Sequence, residues 1–159
     1  MRFTVSTSGP VVVTGDAHRL GQVLDNLVEN AFKHTPPSGS VDVTTTLEYE
    51  RTNGRTRGAP TAVLTIHNTG SFIAPDEAER VFERFYQIDK ARAGHNGRGL
   101  GLAIAREIVQ AHNGRIDLYS SVSAGTSFSV RIPALEPTPS SPLTSSEPAR
   151  PAEVGAARR

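Results

Sequence analysis

Apolar residues recur along this chain with two periods, one near 3.6 and one of 2, and the alternation between them outlines the elements. Leu20, Val23, Leu24, Leu27, Val28 and Ala31 share a helical face, which predicts a helix over about residues 16–34. Asp16 behind Gly15 suits its N-cap, and Thr35-Pro36-Pro37-Ser38-Gly39 stops it. Before it, the β-branched run Val11-Val12-Val13 behind Gly9-Pro10 reads as a strand. Val41, Val43, Thr45 and Leu47 alternate with other residues through Glu50, which predicts another. A polar loop from Arg51 to Pro60 leads to an antiparallel strand over Thr61 to His67. Asn68-Thr69-Gly70-Ser71 is a turn, and a short helix is expected from Asp76 to Phe85 behind Pro75. Leu100, Ala103, Ile104, Ile108, Val109 and Ala111 restore the helical period. They predict a helix over about residues 99–112, capped by Asn113-Gly114. Arg115 to Ser121 and Thr126 to Ile132 read as strands around a Val-Ser-Ala-Gly turn.

Two stretches fall outside the pattern. Gln87 to Arg98 is charged, glycine-containing and poor in apolar residues, and it is expected to be mobile. From Ala134 the chain is rich in Pro, Ser and Ala, with Leu135, Leu143 and Val154 as its only large aliphatics. Such a segment buries too little apolar surface to offset ordering. The expected division is therefore a domain over 1–133 and a disordered tail over 134–159.

Composition narrows the classes. The 159 residues suffice for one domain with a real core. Charged residues are 21% and the formal net charge is +1, which gives no general reason to expect nucleic acid or an anionic membrane as partner. Cysteine is absent, so disulfides and thiolate chemistry are excluded. No apolar run approaches a membrane span, and Met1-Arg2-Phe3-Thr4-Val5 does not open a signal peptide. A cytoplasmic domain is the expectation, with the cytoplasmic part of a membrane-anchored sensor also compatible.

Candidate chemistry sits at the start of the last helix. Gly97, Gly99 and Gly101 alternate with larger residues and run straight into it. A glycine turn feeding a helix N-terminus gathers free N–H groups and the positive end of the helix dipole, which favours phosphate. The spacing fits neither the Rossmann fingerprint nor the P-loop, and a flexible loop before an ordinary helix is the plain alternative. On the first helix, Asn26, Asn30 and Lys33 (or His34) share a face distinct from the Leu20/Leu24/Leu27 face. Asparagine is a poor helix former. Amide oxygens suit a hard cation such as Mg²⁺ and a lysine suits phosphate, while a solvated polar face is the plain reading.

Together these stretches resemble the ATP-binding catalytic domain of two-component sensor histidine kinases, within the gyrase, Hsp90, histidine kinase and MutL superfamily. Gln22 to Pro36 is similar to the family's N box, Phe82-Glu83-Arg84-Phe85-Tyr86 to its F box, Gly97 to Leu102 to its G2 box, and Gly125-Thr126-Ser127-Phe128 to its last glycine motif. Order and spacing agree over about residues 10–133. The resemblance implies a two-layer α/β sandwich of the Bergerat type, with helices on one face of a mixed, mostly antiparallel sheet. It implies Mg²⁺ on Asn30, with Asn26 beside it and Lys33 and His34 near the phosphates. Gly97, Gly99, Leu100, Gly101 and Leu102 would hold the phosphates. Asn68, Gly70, Ile73, Phe85 and Thr126 would complete the ATP site. Residues 87–98 would be a lid, with Phe82 and Phe85 anchoring its base in the core. Arg84 is a candidate to reach the γ-phosphate, with a plain surface arginine as the alternative. The implied activity is transfer of the γ-phosphoryl group of Mg·ATP to a histidine.

Departures from the pattern carry their own expectations. The family's adenine box reads Asp-x-Gly-x-Gly, but here Asn68 replaces the aspartate and Phe72 the second glycine. An uncharged acceptor reads the adenine amino group more weakly, by about 1 kcal/mol. Asn26 occupies the position of the water-activating glutamate of the superfamily's hydrolases, and an amide cannot be a base, so hydrolysis is disfavoured. Glu29 stands a turn away, at ion-pair spacing from Lys33. None of the five histidines is followed by an acidic residue, so no acceptor histidine is recognised in this chain. The implied partners are a phosphoacceptor-histidine dimerization domain, in cis or in trans, and a response regulator, and the isolated chain is expected to be a monomer. A degenerate nucleotide- or partner-binding module and an anti-sigma-type serine kinase are the alternatives.

Overall fold

The structure, a computed structural model, describes residues 1–52, 56–88 and 99–136. In chain order it contains strand β1 (Arg2–Thr7), helix α1 (Ala17–Lys33), strands β2 (Ser40–Thr52) and β3 (Thr56–Asn68), a single 3-10 turn (Arg80–Phe82), helix α2 (Gly101–Ala111), and strands β4 (Arg115–Ser121) and β5 (Gly125–Pro133). The strands form one sheet in the order β1-β2-β3-β5-β4. β1 runs parallel to β2, and every other pairing is antiparallel. Both helices lie against the same face, giving the expected two-layer α/β sandwich.

The strand pleat explains the layering. Val43, Ile66, Phe128 and Leu118 stand opposite one another across four strands and form one inward row. Val23, Leu27 and Ala31 of α1 and Ala105, Ile108 and Val109 of α2 close over it. The outer face carries hydroxyls and charges, with Thr65 Oγ1 and Ser129 Oγ 3.2 Å apart. There Arg131 reaches Glu48 at 2.6 Å and Asp117 at 3.3 Å. The bond to Glu48 is the main reason its guanidinium is held above the ordinary arginine value.

Helix ends follow local chemistry. The Asp16 carboxylate accepts the backbone N–H groups of His18 and Arg19 at 2.9 and 3.1 Å, and the Arg19 bond is the first cause of its lowered pKa. At the far end of α2, Asn113 takes φ 56° and donates its N–H to Gln110 O. Gly114 N–H bonds Val109 O, completing a Schellman motif with asparagine in the left-handed position.

Several sequence expectations change. Val11-Val12-Val13 is not a strand: only Val13 bridges, to Ala134, while the first strand is Arg2–Thr7. All of β1 is exposed, so it lacked the half-buried pattern that marks a strand. The expected 51–60 loop is largely strand, because β2 and β3 form one long hairpin. The helix expected over 76–85 is turns and one 3-10 segment. Leu24 lies at the margin of the helix face, 38% exposed. Beyond Pro133 the described chain continues, with Ala134 N–H on Pro60 O and Leu135 N–H on Val12 O. Residues 137–159 of the expected tail lie outside the described residues. Among the described residues no helix is long and apolar enough to cross a membrane.

The two F-box phenylalanines separate. Phe82 is 8% exposed and meets Phe128 edge to face at 6.1 Å. Phe85 is 69% exposed with φ 66°, so it does not anchor the core as expected from the sequence. Phe82→Ala should therefore cost about 3–5 kcal/mol in urea unfolding, and Phe85→Ala less than about 0.5 kcal/mol. A pH series checks the α1 cap. Because the Asp16 pKa is lowered on folding, its ionic contribution is present above the unfolded carboxyl value and is lost as pH falls through the folded one. The melting-temperature gap between wild type and Asp16→Asn should be open at neutral pH and close in acid.

Candidate nucleotide site

The candidate site lies where the amide-bearing face of α1 meets the N-terminus of α2. Asn26 and Asn30 are both half-buried, one turn apart on α1. A Cβ on Gly101, the first residue of α2, would lie 3.6 Å from Asn26 Cγ and Oδ1, so this amide packs directly against the helix start. Asn26 Nδ2 is buried and has no hydrogen-bond partner among the described residues. A buried amide donor without a partner normally costs about 1–3 kcal/mol, so this atom marks the contact between α1 and the start of α2. The Leu100 N-cap supplies no capping side chain, so the first N–H groups of α2 are not taken up by one. Unpaired donors of this kind suit a phosphate.

Asn30 makes no side-chain hydrogen bond among the described residues, so its amide oxygen is available to a hard cation. Lys33 and His34 close α1 and are exposed, His34 as its C-cap. The ion pair of Glu29 with Lys33 allowed by their spacing is not formed. No three His, Asp or Glu side chains gather around a metal-sized space among the described residues.

The entrance to α2 is fixed by backbone. Gly99 takes φ 63°, and a Cβ there would stand 2.6 Å from Tyr86 O. Its carbonyl accepts the Phe85 N–H at 2.8 Å. Thus the F-box end and the glycine turn are stitched together, and both Phe85 and Gly99 carry positive φ at the joint. Leu100 and Leu102 are half-buried beside it. The helix begins at Gly101 and not at Gly99, because the left-handed Gly99 cannot be part of it. Gly97 and positions 89–98 of the expected lid lie outside the described residues.

Arg84 is exposed and points to the outer side of α2, where its guanidinium meets Glu107 Oε1 at 2.5 and 3.2 Å. Behind it, Arg80 stacks over the Tyr86 ring at 4.5 Å, and Tyr86 donates to Glu77 at 3.0 Å. Partial burial, then the Glu77 bond, push the Tyr86 phenol above its ordinary value. Phe85 lines an open cavity of about 450 Å³ on this side, with Arg80, Glu83, Arg84, Tyr86, Gln87 and Ile88.

The third part of the site is the turn after β3. Asn68 is 1% exposed, and Thr126 is equally buried. Asn68 Nδ2 donates to Ser71 Oγ at 2.9 Å and to Thr69 O at 3.4 Å. Ser71 Oγ donates to Thr126 Oγ1 at 3.0 Å, and Ile73 N–H donates to Ser120 Oγ at 2.9 Å. Gly70 has φ 87°, and a Cβ there would strike Pro36 at 2.5 Å. Gly125 has φ 86°, and a Cβ there would fall 2.2 Å from Asn68 O. Asn68, Gly70, Ile73 and Thr126 are thus one assembly, held by the pairing of Asn68 with Thr126 across β3 and β5. Phe72 is 48% exposed.

Sequence reasoning missed Ser71 and Ser120. Ser71 follows Asn68 by three residues, a spacing at which side chains serve local backbone and turn bonds, and that signal was readable. Ser120 carries none, because its role depends on standing opposite Thr126 across β4 and β5.

Comparison with known proteins identifies the family. The family model described as histidine kinase-, DNA gyrase B-, and HSP90-like ATPase matches residues 15–136. The sensor protein SrrB of Staphylococcus aureus (strain MRSA252) is 39% identical over 126 residues, covering 79% of this chain and 20% of that protein. The chain therefore spans about a fifth of the length of that curated relative. The solved structure of the mycobacterial sensor histidine kinase MprB superposes with a TM-score of 0.64 at 34% identity, covering 84% of this chain and 81% of that one. Full-length ShkA in complex with AMPPNP matches with a TM-score of 0.64 at 28% identity, covering 84% of this chain and 25% of that one. With a family match over residues 15–136, most of its length, this chain belongs to the histidine kinase-, DNA gyrase B- and HSP90-like ATPase family.

Proposed function

We propose that this domain binds Mg·ATP and delivers its γ-phosphoryl group to a histidine on a separate dimerization domain, with a response regulator downstream. The observation that carries the reading is the buried, unpartnered Asn26 Nδ2 against the start of α2. It is a donor waiting for an acceptor at the place where a helix N-terminus also favours an anion. MprB and SrrB, to which the chain is similar, are named as sensor proteins, and ShkA was solved with AMPPNP.

In this reading Asn30 holds Mg²⁺ through its amide oxygen, which neutralises phosphate charge. Asn26 Nδ2 and the N–H groups of Leu100, Gly101 and Leu102 orient the phosphates, with Gly97 and Gly99 shaping the turn. Lys33 and His34 lie at the phosphate end of α1. Asn68, Gly70, Ile73 and Thr126 form the base end, and Phe85 borders the lid side. Arg84 is free to leave its exposed pair with Glu107, which holds it with at most about 1 kcal/mol, and to approach the γ-phosphate. The work of the chain is positioning and charge neutralisation. Asn26 at the base position speaks against water activation, and the exposed Phe72 against a plugged base pocket. A cytoplasmic setting follows from the nucleotide and the regulator.

Titration with a fluorescent ATP analogue, with and without Mg²⁺, tests this. Saturable Mg²⁺-dependent binding is expected, and none at millimolar nucleotide would overturn the reading. Asn30→Ala should weaken the Mg²⁺-dependent affinity by about tenfold or more and leave the melting temperature unchanged.

A further inference from the structure

Asn68 has a neighbour whose role goes beyond the reading above and rests on it. We propose that Ser71 is a positioning residue that fixes the Asn68 amide with its oxygen toward the base, and so sets preference for adenine over guanine.

The argument concerns which way protons point. An amide side chain turned by a half-circle exchanges donor for acceptor. Thr69 O, 3.4 Å from the amide, can only accept, so nitrogen belongs on that side. Thr126 Oγ1 donates to Ser71 O at 3.1 Å, which uses its single proton. It therefore accepts from Ser71 Oγ at 3.0 Å, and Ser120 Oγ, 2.8 Å from Thr126 Oγ1, shares its proton between that oxygen and Gly125 O at 3.4 Å. With its own proton committed to Thr126, Ser71 offers a lone pair to Asn68 Nδ2 at 2.9 Å. The far end of the chain is also fixed, because Ile73 N–H donates to Ser120 Oγ. A backbone donor at one end and backbone acceptors at the other polarise the whole network.

What remains of Asn68 is Oδ1, which makes no hydrogen bond among the described residues. Asn68 as a whole is 1% exposed, and Oδ1 is not among the sealed side-chain atoms without a partner in the described residues, so the narrow opening that remains at this side chain belongs to the acceptor. An uncharged, oriented acceptor matches the 6-amino group of adenine and opposes the 6-oxo group of guanine. A carboxylate at position 68 would set an oxygen against Thr69 O, so the network is built for an amide. Ser71 is thus the residue that makes asparagine a directional reader.

The test is calorimetric titration of Mg·ATP and Mg·GTP into wild type, Ser71→Ala and Ser71→Thr at one salt concentration. Wild type should prefer ATP. Ser71→Ala should lower the ATP-to-GTP preference by roughly fivefold or more, through weaker ATP and stronger GTP binding, and Ser71→Thr should restore it. Equal effects on both nucleotides, or an unchanged ratio, overturn the proposal and leave nucleotide binding standing. Binding of neither nucleotide by wild type overturns both. A readout on wild type alone guards against a variant that fails to fold. The Asn68 side-chain NH₂, followed by ¹⁵N NMR, should be protected from exchange, and a freely exchanging amide overturns the proposal.

Discussion

The structure depends on how closely the start of α2 approaches α1. Both helices must cover one sheet face, and they meet where Gly101 faces Asn26 with room for little more than a methyl group. A larger residue at the helix start would push it away and fill the candidate site. The small residue Ala105, one turn on from Gly101, continues the packing into the core, where it is fully buried. The cost is one buried amide without a partner, Asn26 Nδ2. Strained or unsatisfied groups persist where function needs them, and here the unsatisfied donor stands at the positive end of a helix dipole.

The rest of the site is arranged around that approach by backbone contacts that tolerate no side chain. Gly99 lies on Tyr86 O and Phe85, so the turn into α2 is tied to the segment that follows Phe82. Gly125 lies on Asn68 O, so the turn after β3 is tied to β5. Phe82 secures the first of these ties from below, through its contact with Phe128 in the sheet. Sheet pairing, core packing and site geometry are therefore coupled through a few glycine contacts. The segment from Arg84 to Ile88 has fewer such ties: Phe85 and Ile88 are exposed, and among the described residues Arg84 meets Glu107 in a surface pair.

Much of this was legible in the sequence, and the reasons differ by element. α1 and α2 were readable because each buries one face of a clear 3.6 period and has its own stop signal, Thr35-Pro36 and Asn113-Gly114. The N-box and glycine motifs are brought together at one point, where Gly101 meets Asn26. β1 was not readable, because it is an edge strand exposed along its whole length, with Phe3 set against Phe32. The segment before Phe82 looked helical from composition, but the left-handed Phe85 and its bond to Gly99 O draw the chain into turns. No local signal separates a buried Phe82 from an exposed Phe85, because the difference is set by Phe128 and Gly99, which come later in the chain. The hydroxyl network behind Asn68 was hidden for the same reason, since Ser120 and Thr126 are brought to it by strand pairing.

The most direct test of a phosphate site between α1 and α2 is a ¹⁵N NMR titration of the domain with Mg·ATP. The account predicts that the Asn26 side-chain NH₂ becomes hydrogen-bonded and shifts together with the backbone amides of Gly99 to Leu102. Shifts confined to the cavity around Arg80 to Ile88, with the Asn26 amide unmoved at saturation, would contradict it.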